Sequence, residues 1–204
     1  TAAFVIPILE RIKPRREVSG PQALILTPTR ELAVQVRDEV AKLAHGSNVN
    51  AVAVYGGQPI RGQIEKIERG AEVIVGTPGR TLDHMSRGVL RWDSLMCAVL
   101  DEADRMLDIG FRPDIEKILR RCPSYRQTLL LSATVPPPIL RLARRYMKDP
   151  EMLDFSPKNL SVDTIEQHYF TVDNDKKYEL LVRLLIREKP VQAIIFCRTK
   201  RGTD

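Results

Sequence analysis

The chain has 204 residues, of which 43% are hydrophobic, 28% are charged and only 5% are aromatic. This is enough apolar sequence to bury one full core and part of another. No stretch approaches the roughly 20 apolar residues that a membrane span requires, so no membrane-spanning helix is expected in this chain. The formal net charge of +6 permits a polyanionic partner, but solvated helix faces would explain the same charge.

The three cysteines, Cys97, Cys122 and Cys197, are widely spaced and form no C-x-x-C pair. Such spacing favours neither a metal site nor a disulfide and is typical of an intracellular protein. We therefore expect a cytoplasmic location, with a nuclear or nucleolar one left open. Because Cys97 and Cys197 lie in apolar runs, we expect both side chains to be buried.

Short apolar runs alternate along the chain with segments that carry apolar residues at helical spacing. The runs that predict strands are residues 23–26, 51–54, 73–75, 97–100 and 128–131. The segments that predict helices are residues 31–43, 60–67, 115–119 and 139–146. Residues 136–138 are three prolines, which predict the start of the last of these helices. The alternation predicts an α/β fold, a doubly wound parallel sheet flanked by helices.

Polar segments follow each of the five predicted strands. In a doubly wound sheet, ligands bind at the carboxyl ends of the strands. The segments at those ends are Thr27-Pro28-Thr29-Arg30, Tyr55-Gly56-Gly57, Gly76-Thr77-Pro78-Gly79-Arg80, Asp101-Glu102-Ala103-Asp104 and Ser132-Ala133-Thr134. One edge of the sheet is therefore predicted to carry the chemistry.

The chain is predicted to contain a domain boundary. Residues 1–154 form the first domain in this interpretation, and residues 155–162, which lack periodicity, form a linker. Residues 163–204 then begin a second domain, with strands predicted at residues 167–172 and 193–196 and an amphipathic helix at residues 177–187.

Two adjacent carboxylates, Asp101 and Glu102, follow the buried run 96–100. An aspartate at a strand end can hold Mg²⁺ directly or through water, and a glutamate beside it can activate the water that attacks a γ-phosphate. The alternative is an acidic helix N-terminus that interacts with the helix dipole. The position after a buried strand favours the metal interpretation.

Residues 101–111, DEADRMLDIGF, resemble the Walker B region of the DEAD-box ATP-dependent RNA helicases of superfamily 2. Further segments resemble that family's motifs and occur in its order: PTRELA at residues 28–33 (motif Ia), Gly56-Gly57 (GG), TPGR at residues 77–80 (Ib), Ser132-Ala133-Thr134 (III) and residues 194–200 (IV). The resemblance covers essentially the whole chain. It implies a RecA-like domain and the start of a second RecA-like domain.

The resemblance also implies ATP and Mg²⁺ as cofactors. Thr1 is similar to the last residue of the Walker A motif and would ligate Mg²⁺ together with Asp101, while Glu102 activates water. Asp104, Ser132 and Thr134 would couple the nucleotide site to RNA, with Asp104 as the partner of the two hydroxyls. The glycine loop and lysine of Walker A would precede residue 1, so we expect this chain alone not to hydrolyse ATP.

Contacts to the RNA backbone are implied by the resemblance for Pro28, Thr29, Arg30, Gly56, Gly57, Thr77, Pro78, Gly79 and Arg80. For Thr29 the alternative is a simple helix N-cap. No aromatic stacking platform occurs in these segments, so binding through phosphate and sugar, independent of base sequence, is expected. The histidines are expected to be structural, with His45 at a helix end, His84 on a helix surface and His168 on a strand.

The function that the resemblance implies is ATP hydrolysis coupled to the unwinding of short RNA duplexes or the remodelling of RNA–protein complexes. A non-catalytic RNA clamp or scaffold with the same fold is the alternative, although the intact Asp101-Glu102 pair argues against it. A DNA-unwinding relative is disfavoured because the PTRELA, TPGR and DEAD segments occur together.

Overall fold

The computed structural model describes residues 1–14, 17–18, 20–155, 166 and 168–197. The chain divides into two compact units, Thr1–Met152 and Leu153–Asp204. Residues 156–162 of the predicted linker and residues 198–200 of the motif IV segment lie outside the described residues. The linker and the two domain boundaries therefore stay predictions.

The first unit is built on a parallel sheet. Its five strands are β1 (Ala23–Leu26), β2 (Ala51–Val54), β3 (Val73–Gly76), β4 (Cys97–Leu100) and β5 (Gln127–Leu130). They lie in the order β2-β3-β1-β4-β5, and every neighbouring pair is parallel. The α/β fold with a parallel sheet is confirmed, with β3 one residue longer and β5 one residue earlier than predicted.

Helices cover both faces of the sheet. They are α1 (Ala2–Arg11), α2 (Arg30–Leu43), α3 (Ile60–Glu68), α4 (Pro78–Ser86), α5 (Ala103–Asp108), α6 (Arg112–Arg121) and α7 (Pro137–Tyr146). The four predicted helices are confirmed as α2, α3, α6 and α7, and the proline run does begin α7. In the described part of the chain, no helix combines the length and the apolar character needed to cross a membrane.

The core consists of two apolar layers, one on each face of the sheet. Strand β1 contributes to both, because Leu24 and Leu26 face one layer while Ala23 and Ile25 face the other. All four side chains are buried, and burial of one large aliphatic side chain stabilises the fold by about 1.5–3 kcal/mol. This two-sided packing holds the central strands in register, so their carboxyl ends form a rigid platform.

The second unit is described in part. A 3₁₀ turn at Asn174–Lys176 leads into helix α8 (Lys177–Glu188), which confirms the predicted helix. The strands predicted at residues 168–172 and 193–196 are wrong, because neither segment forms a strand; Gln167 lies outside the described residues. A strand requires a hydrogen-bonding neighbour, and no described segment pairs with either one. Phe196 and Cys197 are consequently exposed, and the buried position expected for Cys197 is also wrong.

Candidate functional site

The polar segments of the first unit lie together at the carboxyl edge of the sheet, as predicted. The ladder continues one residue beyond β1, β3 and β4. The Thr27 N–H donates to the Gly76 carbonyl, the Thr77 N–H donates to the Val54 carbonyl, and the Asp101 N–H donates to the Leu26 carbonyl. The backbone of these polar residues is therefore fixed by the sheet itself. Rigid backbone at this edge is what a site for an extended ligand requires.

Asp101 and Glu102 stand where β4 ends and α5 begins. Glu102 adopts the left-handed conformation, with φ 50° and ψ 52°, and its N–H donates to Asp101 Oδ1 at 3.1 Å. For a residue other than glycine this conformation costs on the order of 1–3 kcal/mol, and such residues are concentrated at functional sites. The strained turn lets the chain change from strand to helix across only two residues, Asp101 and Glu102.

The carboxyl group of Asp101 is partly buried. Burial raises its pKa above the usual value, while the Glu102 N–H acts more weakly in the opposite direction. Thr1 lies near enough to Asp101 to influence its electrostatics. Glu102 is more exposed and forms an ion pair with Arg105 Nη1 at 3.1 Å.

The donor set at this edge fits Mg²⁺. The carboxylates of Asp101 and Glu102 and the hydroxyl of Thr1 are all oxygen ligands, which Mg²⁺ prefers. Among the described residues, no group of three or more His, Cys, Asp and Glu side chains is arranged to enclose a metal. A site with one or two carboxylates suits Mg²⁺, which keeps several waters and binds substrate phosphates as well.

Asp104, Ser132 and Thr134 form one hydrogen-bonded cluster. Asp104 Oδ2 accepts from the Thr134 N–H at 3.0 Å and from its hydroxyl at 2.8 Å, and the Asp104 N–H donates to Ser132 Oγ at 3.2 Å. Burial acts to raise the pKa of Asp104, but the hydrogen bonds to its carboxylate prevail and hold the pKa below the usual value. The partnership implied by the resemblance is present, and it joins the start of α5 to the segment after β5.

Thr29 and Arg30 begin helix α2. Thr29 Oγ1 accepts from the Leu32 N–H at 3.2 Å, so the predicted N-cap is present. The guanidinium of Arg30 is exposed and pairs with Glu31 at 2.6 Å. It also borders the Gly56-Gly57 turn, because a Cβ built on Gly57 would lie 3.4 Å from Arg30 Nη1. Gly57 has a φ of +78°, which favours glycine, and Gly56 is open to solvent on its Cβ side.

The segment Thr77-Pro78-Gly79-Arg80 forms the N-terminus of α4, with Pro78 in its first turn. Helix N-termini present backbone N–H groups that suit a phosphate. The side chain of Arg80 is only 16% exposed, and its Nη1 donates to the Gln58 carbonyl at 3.0 Å. One N–H of the Arg80 guanidinium is therefore already used in a hydrogen bond within the protein.

His84 is completely buried, so the prediction of a helix-surface position is wrong. It lies on the same face of α4 as Thr81 and Met85, which are also buried. Its Nε2 lies 3.1 Å from Gln63 Oε1 on α3. Burial lowers the pKa of His84 and the cation of Arg80 adds to this effect.

Gln63 was not identified from the sequence as a functional residue, and neither was a role for His84 beyond surface structure. The spacing along α3 could have indicated that Gln63 is buried, since it lies four residues before the buried Ile67 and thus on the same face of the helix. His45 does lie in the turn after α2, as expected. His168 is exposed beside Glu166, and its predicted strand is wrong.

The model of the DEAD/DEAH box helicase family matches residues 1–142. The DEAD-box ATP-dependent RNA helicase CshA of Geobacillus kaustophilus is 48% identical over 204 residues, which are 100% of this chain and 43% of that protein. The protein of the same name from Bacillus subtilis is 46% identical over the same length, with 41% of it covered. The chain thus spans less than half the length of these curated relatives.

Solved structures agree with this similarity. A DEAD box protein from the hyperthermophile Methanococcus jannaschii matches with a TM-score of 0.72 and 43% identity, covering 99% of this chain and 53% of that one. A hypothetical ATP-dependent RNA helicase from Sulfolobus tokodaii matches with a TM-score of 0.66 and 38% identity, covering 74% and 43%. The chain belongs to the DEAD/DEAH box helicase family, and its parallel sheet has the RecA-like fold of DEAD-box proteins.

Proposed function

We propose that the full-length protein containing this chain is an ATP-dependent RNA helicase that unwinds short RNA duplexes or remodels RNA–protein complexes. The observation that carries the proposal is the position of the Asp101-Glu102 pair. It stands at the end of a buried strand, beside the Asp104–Thr134 contact. The names of the relatives support the same activity.

The chemistry is assigned to three side chains. Asp101 holds Mg²⁺, with Thr1 as a second ligand, and Glu102 orients the attacking water and accepts its proton. Bound Mg²⁺ supplies positive charge for the phosphate oxygens of ATP. Glu102 pairs with Arg105 in this structure, so its carboxylate must leave that partner when it acts as the base.

Coupling between nucleotide and RNA is assigned to Asp104, Ser132 and Thr134. Their hydrogen bonds connect the segment that carries Glu102 to the segment that follows β5. A change at the nucleotide site displaces α5, and this cluster transmits that displacement to the neighbouring strand end.

The RNA backbone is proposed to bind along the other strand ends. The N-termini of α2 and α4 offer N–H groups near Thr29 and Pro78, and the Gly56-Gly57 turn permits close approach. The proposed contact residues are Pro28, Thr29, Arg30, Gly56, Gly57, Thr77, Pro78, Gly79 and Arg80. Arg80 contributes the N–H groups that its bond to Gln58 leaves available.

RNA-stimulated ATP hydrolysis by the full-length protein tests this proposal. We expect stimulation in the wild type and its loss in Glu102→Gln, with Glu65→Gln on the exposed face of α3 as the matched control. A wild-type protein that binds RNA without turnover would instead be an RNA clamp or scaffold. Equal stimulation by DNA would indicate a DNA-unwinding relative.

Several further expectations stay predictions. They are the inactivity of this chain alone, the assignment of the second unit as the start of another RecA-like domain, and the cytoplasmic location.

A further inference from the structure

A buried polar bridge connects two segments of the proposed RNA surface. The first is the β2–α3 loop, residues 55–59, which contains Gly56 and Gly57; the second is the N-terminal turn of α4. Gln63 of α3 and His84 of α4 are 7% and 0% exposed, and they meet at 3.1 Å. Gln63 Nε2 also donates to the Tyr55 carbonyl at 3.0 Å, at the start of the loop.

The hydrogen bonds of this bridge have a fixed direction. Because the amide nitrogen of Gln63 donates to Tyr55, its Oε1 is the acceptor toward His84. His84 must therefore carry a proton on Nε2. Its Nδ1 is buried and has no hydrogen-bond partner among the residues that the structure describes. The chain of contacts thus runs from His84 through Gln63 to the residue that precedes Gly56.

The bridge contributes little net stability. A hydrogen bond within a protein stabilises by roughly 0.5–1.5 kcal/mol, whereas a buried polar atom without a partner costs about 1–3 kcal/mol. The unpaired Nδ1 therefore offsets what the Nε2 hydrogen bond contributes. An apolar pair at these two positions would remove the unpaired Nδ1 but would also leave the Tyr55 carbonyl without the donor of Gln63, so the main consequence of the polar pair is a defined geometry.

A second contact spans the same gap. Arg80 Nη1 donates to the Gln58 carbonyl, which ties the far side of the β2–α3 loop to the first turn of α4. Helix α4 is also packed close to the sheet, since a Cβ on Gly76 at the end of β3 would lie 2.5 Å from Thr81 Oγ1. The loop is therefore fixed to α4 at both of its ends, at Tyr55 through the bridge and at Gln58 directly.

We propose that Gln63 and His84 are positioning residues, which set the spacing between the β2–α3 loop and the N-terminus of α4 so that both contact one RNA backbone. This inference rests on the proposed function. Both side chains are buried, so their proposed role is to position other residues rather than to contact RNA. They act by keeping the β2–α3 loop and the N-terminus of α4 at a fixed separation. Both segments can contact phosphates of one RNA strand only if that separation matches the spacing of the phosphates along the strand.

The test uses the full-length protein and RNA-stimulated ATP hydrolysis, with KM for single-stranded RNA and kcat measured separately. The central variant is the double substitution Gln63→Met/His84→Leu, which removes the bridge together with the unpaired Nδ1 of His84 and leaves the Tyr55 carbonyl without its Gln63 donor. We expect its melting temperature to fall only slightly, as for loss of the hydrogen bond to Tyr55, and its KM for RNA to rise about tenfold, as for loss of one charge-assisted hydrogen bond to a phosphate. Its kcat at saturating RNA is expected to be unchanged.

A conservative variant provides the rescue. The amide nitrogen of glutamine can take the place of Nε2, so His84→Gln is expected to restore the wild-type KM for RNA. Single His84→Leu is expected to raise KM and to lower the melting temperature, because it leaves Gln63 Oε1 unpaired.

Two results would overturn the inference. One is an unchanged KM for RNA in the double variant when the wild type is stimulated by RNA, which would leave the proposed function intact. The other is a His84→Gln protein with the raised KM of the double variant. Because His84→Gln keeps a donor to Gln63, that result would show that KM for RNA does not depend on this hydrogen bond. A wild type that RNA does not stimulate would remove the proposed function and this inference together.

Discussion

The Asp104 carboxylate accepts two hydrogen bonds from one residue, Thr134, and these contacts lower its pKa against the effect of burial. A lowered pKa in the folded state means that the folded protein binds fewer protons than the unfolded chain. The resulting stabilisation is fully present above the unfolded value of about 3.8 and is lost as the pH falls through the folded pKa. The Asp104–Thr134 contact is thus an acid-sensitive link.

Thr134→Val tests this link. The substitution removes the hydroxyl donor and keeps the backbone N–H, so we expect the pKa of Asp104 to move up toward its usual value. At neutral pH the free energy of unfolding should fall by roughly 0.5–1.5 kcal/mol, the net contribution of one hydrogen bond. NMR titration of the Asp104 carboxyl and urea unfolding measure the two effects. Thr171→Val, at an exposed position, is the control, and an unshifted Asp104 pKa in Thr134→Val would contradict the assignment.

At the scale of elements, the junction of β3 and α4 depends on the absence of a side chain. A Cβ on Gly76 would lie 2.5 Å from Thr81 Oγ1, 2.5 Å from Val54 Cγ2 and 2.9 Å from the Val54 carbonyl oxygen. Distances this short require the helix or the neighbouring strand to move. Gly76 therefore allows α4 to pack close to the carboxyl end of β2.

Gly76→Ala is expected to destabilise the protein by about 1–3 kcal/mol, as overpacking of a tight core does. The matched control is Gly62→Ala, since a Cβ at Gly62 meets nothing within 4 Å and alanine is favoured over glycine inside a helix by about 1 kcal/mol. Urea denaturation of both variants should show changes of opposite sign. Equal changes in the two variants would mean that the close approach at Gly76 is not important.

The elements differ in how well the sequence predicts them. The strands β1 and β4 are continuous apolar runs flanked by polar motifs, so composition alone locates them. Helix α5 has six residues, too few to show a period. The predicted strands at 168–172 and 193–196 have strand-like composition, but pairing depends on a neighbour that local sequence does not specify.

The same limit applies to the candidate site. Asp101, Glu102 and the residues of the RNA surface belong to contiguous motifs, so their grouping was predictable. The Arg80–Gln58 and Gln63–His84 contacts join residues 22 and 21 positions apart. Such pairs depend on how α3 and α4 pack, which periodicity does not determine. The burial of His84 is the clearest case, because a lone histidine on an amphipathic helix is more often at the surface.

At the scale of the whole molecule, the parallel sheet brings segments from all parts of the first unit to one edge. Thr27 and Asp101, which are 74 positions apart, each extend the ladder by one hydrogen bond, to the carbonyls of Gly76 and Leu26. The nucleotide-side residues follow β4 and β5, and the RNA-side residues follow β1, β2 and β3. The sheet order therefore places the two proposed functions side by side on one rigid platform.

The most direct test of the account is displacement of one strand from a short RNA duplex by the full-length protein, measured together with ATP hydrolysis. We expect displacement that requires ATP and Mg²⁺, disappears in Glu102→Gln, and is much weaker for a DNA duplex of the same sequence. ATP-independent displacement, or RNA binding with neither hydrolysis nor displacement, would contradict the assignment of Asp101 and Glu102 to catalysis.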